Sequence, residues 1–212
     1  MMRRWRKHGD GPGTGKPLSA RHGPDRAGRV LVCLMMCQLF LGAPQAFSQS
    51  TDDAEYKEYK LKLAFLYNFT LFVEWPPEAF QDPDAPLTVC VVGENPFRGE
   101  LEQSLRGRRA GRHPIELKKL MPEDNPKACH LIFIRASEKR AAEKVLTDLN
   151  GSSTLTVGET KGFTQRGGVI NLVQEDNKLG IEINVDAADR SRLRISSKLL
   201  ALSKIVNEPR NP

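Results

Sequence analysis

The sequence predicts an α/β fold: a mixed β-sheet flanked by helices on both faces, a three-layer sandwich built as a single domain. Three observations predict it. Residues 87–92 (LTVCVV) and 129–134 (CHLIFI) are short, nearly unbroken apolar runs, the pattern of strands buried on both faces in a parallel sheet. Segments of helical periodicity alternate with them, which lays helices over the sheet. Residues 169–173 and 179–185 bracket Glu175-Asp176-Asn177-Lys178 and read as a hairpin, which adds an antiparallel pair.

The domain opens on residues 61–75, LKLAFLYNFTLFVEW. Leu61, Ala64, Phe65, Asn68, Phe72 and Trp75 follow the i, i+3, i+4, i+7 rule of a helix face. Leu63, Leu66, Tyr67, Phe69 and Val73 fill most of the remaining circumference. A helix apolar nearly all round belongs inside a core, so packing is its plain role. Asn68 and Glu74 are the positions on it that would serve as partner contacts. It is too short, and too interrupted by Lys62, Asn68 and Glu74, to cross a bilayer. Pro76 and Pro77 end it.

The strand at 87–92 stops at Gly93, and Asn95-Pro96 opens a helix through Leu105, with proline at its start. Residues 107–113, GRRAGRH, form a basic turn. Residues 114–120 alternate weakly as a second strand, with Ile115, Leu117 and Lys119 on one face. After the third strand at 129–134, residues 137–149 read as an amphipathic helix with Ser137 as N-cap and Asn150-Gly151 as its stop. A short strand follows at 155–157. Gly162-Phe163 and Gly167-Gly168 bracket a tight loop or a short helical turn. In the hairpin, Ile181, Ile183 and Val185 alternate with Glu182 and Asn184, which predicts one buried and one polar face. A helical region begins at Ala187. Residues 196–206, SSKLLALSKIV, close the chain as an amphipathic helix with Leu199, Leu202, Ile205 and Val206 inward.

The first 48 residues read as a secretory signal peptide, cleaved after Ser48. A basic stretch precedes a short apolar run, VLVCLMMCQLFLG, and small residues Ala46 and Ser48 follow at cleavage spacing. This leader carries eight Lys+Arg and two Asp+Glu, which accounts for the whole formal charge of +6. The domain at 49–212 is therefore neutral, and nucleic-acid binding, which needs a basic footprint on the folded domain, drops out. No later stretch is long and apolar enough to span a membrane, so the mature chain is expected to be exported with no anchor after leader removal. Of four cysteines, Cys33 and Cys37 leave with the leader. Cys90 and Cys129 remain, an even pair in an oxidising compartment. They read as a disulfide, against the alternative of two free buried thiols. Such a bridge would stabilise by roughly 3–4 kcal/mol.

The search for chemistry is mostly negative. Only His113 and His130 survive leader removal, and neither H-x-x-x-H nor C-x-x-C occurs, so no metal or cofactor site is expected. Cys129 and His130 are adjacent in a strand and point to opposite faces, which spoils them as a nucleophile pair. The turn at 93–99, GENPFRG, lacks the spacing of a phosphate cradle. Ser197 and Lys198 are neighbours, whereas a serine–lysine pair needs S-x-x-K; N-capping by Ser196 or Ser197 is the reading there. No catalytic residue is assigned. A hydrolase using Ser197 or His130 is the weakest of three hypotheses. A second is a small-molecule sensor with a cleft near Gly93 and Ala136 at the strand ends, feeding a sensor kinase. The first is a binding regulator.

Six blocks carry a resemblance: KLAFLYNFTLFVEWP, LTVCVVGENPF, CHLIFI, LTVGETKGFTQRGGVINLV, IEINVDAA and LRISSKLLAL. In this order, over about residues 59–206, they resemble the YfiR family of secreted bacterial proteins. The resemblance implies a mixed α/β sandwich that dimerises. It implies a periplasmic negative regulator that binds the periplasmic sensor region of an inner-membrane diguanylate cyclase, lowering cyclic di-GMP and limiting biofilm. It also implies an outer-membrane, peptidoglycan-binding lipoprotein that can sequester the regulator. Cys90 and Cys129 match one family bridge. The second cysteine pair of better-known members is missing from residues 162–172, so redox switching through that second bridge is not expected here. The partner surface is expected on the hairpin and last helices, at Phe163, Ile170, Glu182, Ala188 and Arg194.

Overall fold

The computed structural model describes residues 46–97, 99–175 and 178–207. The leader expected at 1–48 lies outside these as far as residue 45, as do Asp176 and Asn177 of the expected hairpin turn. Residues Ser50–Pro212 form one compact unit. Helix α1 (Ala46–Phe72) runs into a two-residue strand, β1 (Val73–Glu74). Then come β2 (Leu87–Val92), α2 (Glu100–Leu105), β3 (Arg109–Ala110), β4 (His113–Leu120), β5 (Leu131–Ile134) and α3 (Lys139–Asp148). The second half holds β6 (Leu155–Gly158), β7 (Ile170–Glu175), β8 (Lys178–Asn184), α4 (Val185–Arg190), β9 (Arg194–Ile195), α5 (Ser197–Ala201) and β10 (Lys204–Val206).

Eight strands make one mixed sheet in the order β10-β8-β7-β6-β5-β2-β4-β3. The run from β7 to β4 is parallel, while β7–β8 and β3–β4 are antiparallel. Strands β1 and β9 form a separate antiparallel pair. Side chains alternate across the central strands. Leu87, Val89, Val91, Leu131 and Phe133 pack with α1 and α2. Cys90, Val92, Ile132 and Ile134 pack with α3. Helices therefore cover both faces, and the unbroken apolar runs are strands buried from two sides. Among the described residues, no helix is long and apolar enough to cross a membrane.

Four expectations need correction. The inward face of α1 is Tyr59, Leu63, Leu66 and Phe69, with Val73 just beyond. The stripe read from periodicity faces outward: Leu61 is 47% exposed, Ala64 and Asn68 are exposed, and Phe65, Phe72 and Trp75 are half-buried; Leu71, outside that reading, is 45% exposed on the same side. Both stripes are apolar, so spacing alone could not rank them. The inward choice keeps the Asn68 amide in water and gives Lys62 a buried carboxylate partner, Glu159.

The chain also does not end in one amphipathic helix. Ser196 caps α5, its Oγ accepting from Leu199 N at 3.3 Å, and α5 stops at Ala201. Residues 204–206 then add the edge strand β10, parallel to β8. Leu199 faces inward, but Leu202 and Ile205 are 79% and 50% exposed. Third, the polar face expected on β8 is buried, because the turn around Thr164 covers it: Asn184 is fully buried and Glu182 nearly so. Asn184 Nδ2 donates to the Thr164 carbonyl at 2.8 Å, and its Oδ1 caps Ala187 N at 2.8 Å. Fourth, two helices start late. Asn95 Oδ1 accepts from Phe97 N at 2.9 Å, an Asx-turn that postpones α2 to Glu100. Helix α3 begins at Lys139, and no side chain caps it.

Candidate functional site

The disulfide joins Cys90, inside β2, to Cys129, which leads into β5; their Cα atoms are 5.9 Å apart. Both cysteines are buried beneath α3. The bridge therefore staples two neighbouring parallel strands from the face opposite α1.

On the α1 side, the carboxyl ends of β5 and β6 are closed by a network of charges. Lys62 Nζ lies 2.5 Å from Glu159 Oε2 and 2.5 Å from Glu58 Oε1. Glu159 Oε1 accepts from Tyr59 Oη at 3.0 Å and from the Ala136 backbone N–H at 2.9 Å. Arg135 Nε donates to Tyr59 Oη at 3.3 Å. Burial pushes the Tyr59 phenol up. Burial pushes Lys62 down, but its bonds to Glu159 and Glu58 outweigh this and hold it above the ordinary lysine value. Open strand ends are where α/β folds usually take ligands. Here Ala136 N–H is spent on Glu159. Gly93, with φ +82°, has Glu138 so close that a Cβ would sit 2.5 Å from its carboxylate oxygen. A groove of about 490 Å³ remains beside Gly93, floored by Val92, Leu120, Ala141 and Val145.

The residues proposed for nucleophilic chemistry are dispersed. His130 is tied to backbone through both ring nitrogens, and Ser197 and Lys198 are exposed on α5. Among the described residues, no three His, Cys, Asp or Glu side chains gather as a metal would require.

Of the five residues expected on a partner surface, four are buried. Phe163, Ile170 and Ala188 are within the cores, and Glu182 lies under the Thr164 turn. The Phe163 ring occupies the space a side chain on Gly158 or Gly168 would need. Only Arg194 is exposed. It pairs across β1–β9 with Glu74, so it lies at the end of α1 rather than over the hairpin. Sequence periodicity had picked out the outward residues of α1 but assigned them to the core. The signal for a surface was Asn68, an amide amid apolar neighbours.

The outward stripe Leu61, Ala64, Asn68 and Leu71 runs at three- and four-residue spacing and carries no charge. That is the spacing by which one helix packs on another. The backbone N–H of Ser196 donates to the Phe72 carbonyl at 2.9 Å, so α5 starts where α1 ends. Its neighbours Leu202 and Ile205 are also exposed.

A family model described as YfiR/HmsC-like matches residues 59–204. Among solved structures, a conserved domain protein from Vibrio cholerae O1 biovar El Tor is 16% identical, with a TM-score of 0.42 over 57% of this chain and 55% of that one. An ABC domain in complex with L-Trp from Streptococcus pneumonia is 9% identical, with a TM-score of 0.44 over 61% and 58%. The chain thus spans little more than half of either structure, and neither likeness carries an argument about fold or ligand.

Proposed function

Because the chain belongs to the YfiR/HmsC-like family, whose members are periplasmic regulators of cyclic di-GMP signalling, we propose that it docks on the periplasmic region of an inner-membrane diguanylate cyclase and restrains it. The observation that supports this reading is the outward face of α1. Two exposed leucines flank Asn68 on a regular helix, a surface that a partner helix would cover. Burying a leucine contributes roughly 1.5–3 kcal/mol, while Asn68 would fix the register of the contact at some cost in affinity. Glu74 and Arg194 sit at one end of the stripe and would orient the partner by charge.

The test is co-purification with the periplasmic region of the cyclase, using wild type and a Leu61→Lys/Leu71→Lys variant. Both leucines are half-exposed, so the variant keeps its fold. Wild type should retain the cyclase and the variant should lose it. Equal capture by both would remove α1 as the docking face. No capture by either, with cyclic di-GMP unchanged on deletion of the protein, would remove the regulator reading.

A further inference from the structure

We propose that the face of β7 and β8 beneath the Thr164 turn is a binding site for a small primary-ammonium ligand. Four residues stand directly opposite one another on successive strands: Gly158 on β6, Asn171 on β7, Glu182 on β8 and Lys204 on β10. Residues in such register project from the same face. Asn171 is fully buried and Glu182 is 7% exposed, yet a cavity of about 650 Å³ opens beside them, lined also by Lys161, Gln165 and Glu175.

The polar groups of this row are poorly met. Asn171 Nδ2 and Thr164 Oγ1 each reach Glu182 Oε2 at only 3.5 Å, the outer limit of a hydrogen bond. Lys204 Nζ reaches Glu182 Oε1 at 3.2 Å, from a side chain that is 66% exposed. Asn171 Oδ1 has no hydrogen-bond partner. Flipping the amide does not help, because it would turn Oδ1 onto the Glu182 carboxylate, acceptor against acceptor. A buried acceptor left this way calls for an explanation, and apolar residues would have stabilised the sheet better.

The one group of this row left without a partner, Asn171 Oδ1, is an acceptor. Glu182 Oε2 beside it is an acceptor held only by long bonds, so the molecule that would meet them is a donor. A hydroxyl brings one hydrogen. An ammonium brings three and offsets the Glu182 charge, and charge-assisted bonds are the stronger kind. Lys204 already plays this part from the rim, and a ligand ammonium would take it over from closer in. The inference stands apart from the docking reading, since it needs no partner protein.

Isothermal titration of the purified protein with putrescine tests it. Saturable binding is expected, weakened at least tenfold in Glu182→Gln and Asn171→Val. The equal-length diol 1,4-butanediol is expected not to bind. Lys204→Met removes the internal competitor from an exposed position, so it keeps the fold and should tighten putrescine severalfold. Absence of saturable putrescine binding to wild type overturns the proposal. So do equal binding of the diol, unchanged affinity in folded Glu182→Gln, and unchanged or weaker affinity in Lys204→Met.

Discussion

Thr88 and His130 are joined twice between β2 and the residue before β5. The Thr88 backbone N–H donates to His130 Nδ1 at 3.0 Å, and the His130 backbone N–H donates to the Thr88 carbonyl at 2.9 Å. Nδ1 is thus an acceptor, and the ring proton sits on Nε2, which donates to the Ala79 carbonyl at 3.0 Å. The Phe80 ring stacks on His130 at 4.5 Å and on His113, from its other side, at 3.7 Å.

This geometry predicts acid lability. Burial lowers the His130 pKa most, the bond to Ala79 opposes it, and the charges of His113 and Lys118 lower it further, so the net shift is downward. The folded chain then binds fewer protons here than the unfolded chain. Its stability contribution is complete above the unfolded value of about 6.5 and is lost as pH falls from there through the lower folded value. Urea titrations across that window should show a falling midpoint. In His130→Asn, Oδ1 can stand where Nδ1 stood without titrating, and the slope from this site should vanish. A slope identical in wild type and variant would assign the acid response elsewhere.

The Cys90–Cys129 bridge closes a separation of 39 residues, for which loop entropy gives about 4 kcal/mol. Reductant should therefore lower the urea midpoint of the wild type sharply. The Cys90→Ala/Cys129→Ala variant should already sit near the reduced midpoint, about 2–4 kcal/mol down, and ignore reductant. A variant as stable as the oxidised wild type would mean that packing under α3 does the bridge's work.

Strands were legible where one physical signal dominated. LTVCVV could only be buried from both sides, and β2 spans residues 87–92 as read. The hairpin was legible from the alternation of Ile181 and Ile183, which stand opposite Leu172 and Ile170. The reading failed where two placements satisfied the same pattern. Leu61 and Leu63 are equally apolar, and the way α1 turns follows from keeping the Asn68 amide in water and from Glu159, 97 residues beyond Lys62. Glu182 looked like a solvent-facing residue because nothing local shows that the Thr164 turn folds over it. Leu202 and Ile205 looked buried because helical spacing fits them, whereas pairing with β8 outcompetes the last helical turns. These three missed facts are contacts distant in sequence, whereas the late start of α2 is local, set by the Asn95 turn onto Phe97 N.

Lys62 and Glu159 have side chains 6% and 5% exposed, and removing one member of such a pair typically costs about 3–5 kcal/mol. The two members should not be equivalent. Lys62→Met leaves Glu159 with donors from Tyr59 and Ala136. Glu159→Ala leaves Lys62 with Glu58 alone and takes away the acceptor that the Tyr59 hydroxyl and the Ala136 N–H share. Glu159→Ala should thus be the more destabilising by chemical denaturation, and adding Lys62→Met to it should recover part of the loss. Equal penalties would show that Glu58 alone holds Lys62 in place.

Phe163 separates a core role from a docking role. A partner contact there would predict that Phe163→Ala keeps stability and loses binding. The burial of its ring against Gly158 and Gly168 predicts the reverse: a loss of about 3–5 kcal/mol on truncation. The same packing makes Gly168→Ala costly, by about 1–3 kcal/mol, because the new methyl enters space the ring already fills. In the pair Phe163→Leu/Gly168→Ala the smaller side chain yields that space. The double variant should then be more stable than the sum of the singles allows, by about 0.5–3 kcal/mol of coupling. Additive losses would mean that the ring and the glycine do not press on each other.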